Sequence, residues 1–158
     1  MKVIIITLPD FFPGADGLQR EALLIEDHLR QGRADIVHIR KPGATIEQME
    51  ELQNTVTEPL RSRVLIHRHH DPRSCHSLEE VKAKKHLYDY VSLSPIFDSI
   101  SKQGYQSAFT REQIAQAVRD GIIDEKVYAL GGITFARLKE VEAMGFGGAM
   151  ILGDAWRA

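Results

Sequence analysis

Short blocks of unbroken apolar, β-branched residues alternate along this chain with longer stretches whose apolar positions recur every three or four residues. The blocks Lys2–Thr7, Asp35–Arg40, Arg63–His67, Tyr88–Leu93, Lys126–Leu130 and Gly148–Leu152 read as strands covered on both faces. The stretches between them read as amphipathic helices. Asp16 can cap a helix with Leu18, Ala22, Ile25 and Leu29 on one face, ended by Gly32. Thr45 and Gln48 have capping-box spacing ahead of Ile46, Met49, Leu52 and Val56, and Ser77 and Glu80 repeat that spacing for a helix through Lys85. Thr110 opens a helix with Ile114, Ala117 and Val118 inward. Thr134 opens another with Leu138 and Val141 buried, ended by Gly145.

Buried, non-alternating strands that alternate with helices predict a parallel sheet of βα units in one domain, residues 1–158. The rhythm breaks once. A parallel crossover needs roughly 10–12 residues including its helix, and HHDPRSC, between His67 and His76, is too short to supply one. A helix and a strand are therefore missing after the third strand, through a deletion or a skipped segment. The skipped segment is the favoured reading, because a broken barrel exposes two unpaired strand edges. Restoring it gives a (β/α)8 TIM barrel.

Composition narrows the class without naming it. At 158 residues, 43% hydrophobic and 27% charged, with a net charge of −2, the chain looks like an ordinary globular domain. It is not one that binds nucleic acid by bulk charge. Its one cysteine, Cys75, excludes an internal disulfide framework and fits a reducing cytoplasm. The apolar start is too short for a signal peptide's core, and no run approaches the ~18 apolar residues of a membrane span.

In parallel α/β folds chemistry gathers at the carboxyl ends of the strands. Arg40 and Lys41 end the second strand, two adjacent cations suited to a diphosphate or to ordinary ion pairing. His38 shares a strand face with Arg40. Beyond Ser94-Pro95, the loop carries Ser99, Ser101 and Lys102, two hydroxyls and an ammonium that could grip an anion. Gly131-Gly132 follows the next-to-last strand, and Leu152-Gly153 the last. These are the loops where a (β/α)8 barrel usually holds phosphate, although tight turns also want glycine. His67, His69 and His70 beside Asp71 superficially suggest a metal cluster, but consecutive histidines do not match zinc-ligand spacing. His76 is the better single candidate for acid–base work, and Cys75 reads as a packed side chain.

Taken together, HIRK at 38–41, SCHS at 74–77, SPIFDSISK at 94–102 and ALGGI at 129–133 resemble the thiamine-phosphate synthase and TenI-like family. The resemblance implies a (β/α)8 barrel that joins an aminopyrimidine diphosphate to a thiazole phosphate with Mg²⁺ and releases pyrophosphate. By resemblance, Arg40 and Lys102 hold the diphosphate, with the missing segment. Ser99 and Ser101 stand near the thiazole phosphate, which Gly131, Gly132, Leu152 and Gly153 bind through backbone amides. The departures concern the metal and the lysine. His67-Arg68 replaces the family's Asn-Asp, removing an expected Mg²⁺ carboxylate, and the lysine after the second strand is shifted by one. The resemblance thus implies a synthase first. The alternatives are a TenI-like thiazole tautomerase working through His76 and a non-catalytic binder of phosphorylated ligands. It also leaves room for a homodimer.

Overall fold

The computed structural model describes residues 1–67, 71–97 and 108–157. They form two compact units, one of Val3–Asp71 and one of Met1–Lys2 with Pro72–Ala158. All strand pairings within each unit are parallel, as the uninterrupted apolar blocks predict.

The first unit runs β1 (Lys2–Ile6, from Val3 on), α1 (Gly17–Arg30), β2 (Ile36–Ile39), α2 (Ile46–Thr55), a 3-10 turn at Leu60–Arg63 and β3 (Val64–Ile66). β2 lies between β1 and β3, with Ile6 opposite His38 and His38 opposite Leu65. Ile5, Ile25, Val37, Ile39, Leu52 and Val64 are closed to solvent. Each such side chain contributes roughly 1.5–3 kcal/mol on leaving water. The capping box at Thr45 forms as predicted, with Gln48 N–H donating to Thr45 Oγ1 and Thr45 N–H to Gln48 Oε1. Asp16 does stand at the start of α1 but makes no capping bond; its carboxylate pairs with Arg20 at 3.2 Å. Gly17 is required for another reason: a Cβ there would lie 2.0 Å from the carbonyl oxygen of Phe12.

The second unit runs β4 (Ser74–Cys75), α3 (Leu78–Lys84), β5 (Val91–Leu93), α4 (Arg111–Arg119), β6 (Val127–Leu130), α5 (Leu138–Ala143) and β7 (Gly148–Ile151). Short 3-10 turns at Lys85–Leu87, Phe135–Arg137 and Gly153–Trp156 join them. Its strands lie in the order β4-β5-β6-β7. Val91, Leu93, Val127, Ala129, Ala149 and Ile151 form the buried layer, covered by Val81, Ile114 and Val141 from the helices.

The seventh strand, β4, is the one that the apolar pattern does not predict. Two residues carry no periodicity, and only the pairing of Ser74 with Ser92 and Cys75 with Leu93 defines it. No helix separates β3 from β4 among the described residues, so the predicted break in the βα rhythm is present. The architecture is a parallel, TIM-barrel-like α/β fold. No helix among the described residues is long and apolar enough to cross a membrane.

Candidate functional site

Thr7, the residue after β1, fixes the carboxyl end of β2. Its hydroxyl oxygen accepts from the Arg40 N–H at 2.9 Å, and its own N–H donates to His38 O at 3.0 Å. Arg40 is therefore held by its backbone while its half-buried guanidinium makes no hydrogen bond or ion pair among the described residues. A cation left without a carboxylate at a strand's end can accept an anionic ligand.

Lys41 behaves differently from the expectation of a second, ligand-facing cation. It is fully buried and forms an ion pair at 2.7 Å with Glu21 of α1, which is equally buried. Its ammonium also donates to the carbonyls of Leu8 and Asp10, both at 2.9 Å, and lies 4.6 Å from the Phe11 ring centroid. Burial pushes its pKa down, while Glu21 pulls it back up. Lysine is amphipathic enough to pass through a core, but its charge cannot be left there unpaired. Glu21 meets that need.

His38 is buried at the end of β2, its ring 5.8 Å from that of His67. His67 Nε2 lies 3.3 Å from the Asp71 carboxylate. His69 and His70 lie outside the described residues. Among the described residues no group of three or more His, Cys, Asp or Glu side chains is placed to hold a metal ion. A Mg²⁺ ion is commonly held by only one or two carboxylates together with the phosphates of the substrate.

In the second unit, the turn after β6 is built against the segment that follows β5. Ile96 N–H donates to Leu130 O and Phe97 N–H to Gly131 O, both at 3.0 Å. Gly131 has φ of 103°, and a Cβ on it would lie 2.8 Å from Pro95 Cα. Gly132 follows with φ of 65°. Thr134, expected to cap the next helix, makes no capping bond. Asp154 takes that place from the loop after β7: its carboxylate accepts the Phe135 N–H at 2.9 Å. Burial pushes the Asp154 carboxyl up, but the Phe135 N–H and the Arg157 guanidinium outweigh it and hold the group below its ordinary value. Leu152 and Gly153 lead into this loop, so the two turns expected to bind phosphate are tied by one carboxylate.

Beside the glycine turn lies a cavity of about 380 Å³, lined in part by Ile96, Phe97, Gly132, Thr134 and Arg137. The Arg137 guanidinium stacks over the Phe97 ring at 4.1 Å. A guanidinium and an uncapped hydroxyl beside a glycine turn suit a phosphate or carboxylate.

His76, just after β4, is exposed, with Nδ1 3.3 Å from Ser94 Oγ. An exposed imidazole held by a hydroxyl can carry a proton to or from a ligand. Cys75 is closed to solvent and its thiol is pushed up by burial, so it is a packed side chain and not a nucleophile. Ser99, Ser101 and Lys102 lie outside the described residues.

The family model for thiamine monophosphate synthase matches residues 72–153, the stretch that carries His76, the glycine turn and Asp154. The chain belongs to the thiamine monophosphate synthase family. It is similar to the thiamine phosphate pyrophosphorylase of Bacteroides thetaiotaomicron, at 36% identity and a TM-score of 0.77 over 99% of this chain and 85% of that one. The thiamine phosphate pyrophosphorylase of Pyrococcus furiosus matches at 19% identity and a TM-score of 0.67, over 96% and 85%. The N-acetylmannosamine-6-phosphate 2-epimerase of Clostridium perfringens matches at 15% and 0.58, over 98% and 87%. These last two speak for the fold alone. No protein of curated function matches the chain.

Sequence reasoning missed Glu21 and Asp154. Glu21 had a signal, since it lies three residues after Leu18 and four before Ile25, on the buried stripe of α1. Asp154 had none beyond standing next to Gly153.

Proposed function

We propose that the protein is a thiamine-phosphate synthase-like transferase. It joins 4-amino-2-methyl-5-pyrimidinylmethyl diphosphate to thiazole phosphate and releases pyrophosphate. The observation that carries this reading is the guanidinium of Arg40 at the end of β2, without a hydrogen bond or ion pair among the described residues, in a chain 36% identical to a thiamine phosphate pyrophosphorylase over nearly its whole length. The C–O bond to the diphosphate breaks and its electron pair leaves with pyrophosphate. The thiazole nitrogen then supplies the pair for the new C–N bond. Nothing is oxidised or reduced, and no protein nucleophile is needed. The protein's task is to hold the two phosphorylated partners and stabilise the departing charge. Arg40 serves the diphosphate, together with Lys102 by family resemblance. The turns at Gly131-Gly132 and Leu152-Gly153 serve the thiazole phosphate. No step is routed through Mg²⁺, which the family resemblance implies would neutralise charge on the diphosphate. We further infer a (β/α)8 parent architecture from which a helix-strand portion is missing after β3.

The test is incubation of purified protein with both substrates and Mg²⁺, following pyrophosphate and thiamine phosphate together. Stoichiometric appearance of both supports the transferase. A second reading, a TenI-like tautomerase, draws on the exposed His76 beside Ser94. Tautomerisation of the thiazole carboxylate phosphate that vanishes in His76→Asn would select it. Ligand binding with neither activity would select a phosphate-ligand binder.

A further inference from the structure

The adjacent cations at the end of β2 do different work. Arg40 leaves its guanidinium without a partner among the described residues, whereas Lys41 is closed to solvent and engaged on every side. Its ammonium meets the β1–α1 loop and α1 at once: the carbonyls of Leu8 and Asp10 and the Phe11 ring in the loop, and Glu21 in the second turn of α1. Glu21 in turn accepts the Phe12 N–H at 3.2 Å through its other oxygen. Thr7, which begins that same loop, grips the Arg40 backbone. The loop from Thr7 to Phe12 is thus fastened at one end to Arg40 and along its length to the Lys41–Glu21 pair.

We propose that Lys41 is a positioning residue: with Glu21 it forms an internal strut that fixes the β1–α1 loop and thereby the stance of Arg40 toward a diphosphate. This rests on the synthase reading for the ligand and on the geometry above for the strut. It predicts that Glu21, far from any expected ligand contact by type of charge, controls diphosphate affinity. A carboxylate that competes for a ligand-binding lysine would oppose binding; a carboxylate that holds a strut supports it.

Glu21→Gln separates the two by sign. Inorganic pyrophosphate is titrated calorimetrically into wild-type and variant protein, and amide hydrogen exchange is followed over residues 8–12. The strut predicts pyrophosphate affinity roughly ten- to a hundredfold weaker, the cost of a small misplacement of a binding group, with faster exchange in the loop. Unchanged or tighter binding would show that Lys41 is a ligand cation released by the substitution, and would overturn the proposal. So would an unchanged exchange pattern. Should Glu21→Gln fold poorly, Lys41→Met/Glu21→Leu buries no unpaired charge and carries the same prediction of weakened binding and a loosened loop, with unchanged exchange as the contrary result. Wild-type protein that does not bind pyrophosphate refutes the synthase reading, and the exchange measurement then decides the strut on its own.

Discussion

Gly131→Ala tests the glycine turn most sharply. At φ of 103° an alanine is strained, and its Cβ would lie 2.8 Å from Pro95 Cα, 3.0 Å from Pro95 Cβ and 3.1 Å from Ile96 N. Two of these atoms are backbone, so the neighbour cannot rotate away. The conformational strain costs about 1–2 kcal/mol, and forcing a methyl into packed surroundings costs about 1–3 kcal/mol more. Reduced entropy of the unfolded chain returns about 0.4–1 kcal/mol, for a net loss of about 1–4.5 kcal/mol. For a chain of this size that lowers Tm by roughly 2–18 °C. Gly121→Ala is the control, because Gly121 has φ of 74° with nothing within 4 Å of its Cβ position. It incurs only the strain, less the entropic return, and should cost under about 1.5 kcal/mol. Thermal unfolding of both variants by circular dichroism decides the matter. Equal losses in the two would refute the claim that close approach to Pro95 is what demands glycine at 131.

Arg40→Gln should leave Tm within a degree or two while raising KM for the pyrimidine diphosphate by roughly 10–100-fold, as expected for one lost charged hydrogen bond of about 1.5–3 kcal/mol; a large fall in Tm with unchanged KM would contradict its role as a ligand cation. His76→Asn should retain synthase turnover, since the displacement requires no imidazole, and steady-state assay of pyrophosphate release checks this. Asp154 has a folded pKa below its unfolded one, so its contribution to stability is present above about pH 4 and is lost as pH falls through the folded value. The Tm gap between wild type and Asp154→Asn should accordingly be wide at pH 6 and close toward pH 3; a gap independent of pH would show that the carboxylate charge is immaterial.

Six strands were legible as short apolar blocks, and Ile4–Ile6 and Val37–Ile39 are buried on both faces as expected; β3 is not, since Leu65 is 43% exposed. Capping chemistry at Thr45, Ser77 and Thr110 placed three helix starts, where local hydrogen bonds dominate. What was not legible depended on partners distant in sequence. Lys41 looks like a surface cation beside Arg40 until α1 brings Glu21 to it, twenty residues away in the chain. Thr134 looks like a cap until Asp154 arrives from beyond β7 to take the amide. β4 exists only through its neighbour β5. Local pattern thus located the strand ends where chemistry gathers, but only tertiary packing separated the charges that face a ligand from those that hold the frame.

The central claim, that this chain unites two phosphorylated thiamine precursors, is tested most directly by mixing purified protein with both in the presence of Mg²⁺ and measuring thiamine phosphate by mass spectrometry. Product that forms only when both are present, in step with one pyrophosphate released per turnover, is the predicted result. Intact precursors after prolonged incubation with protein that is folded and of the full sequence mass would contradict it.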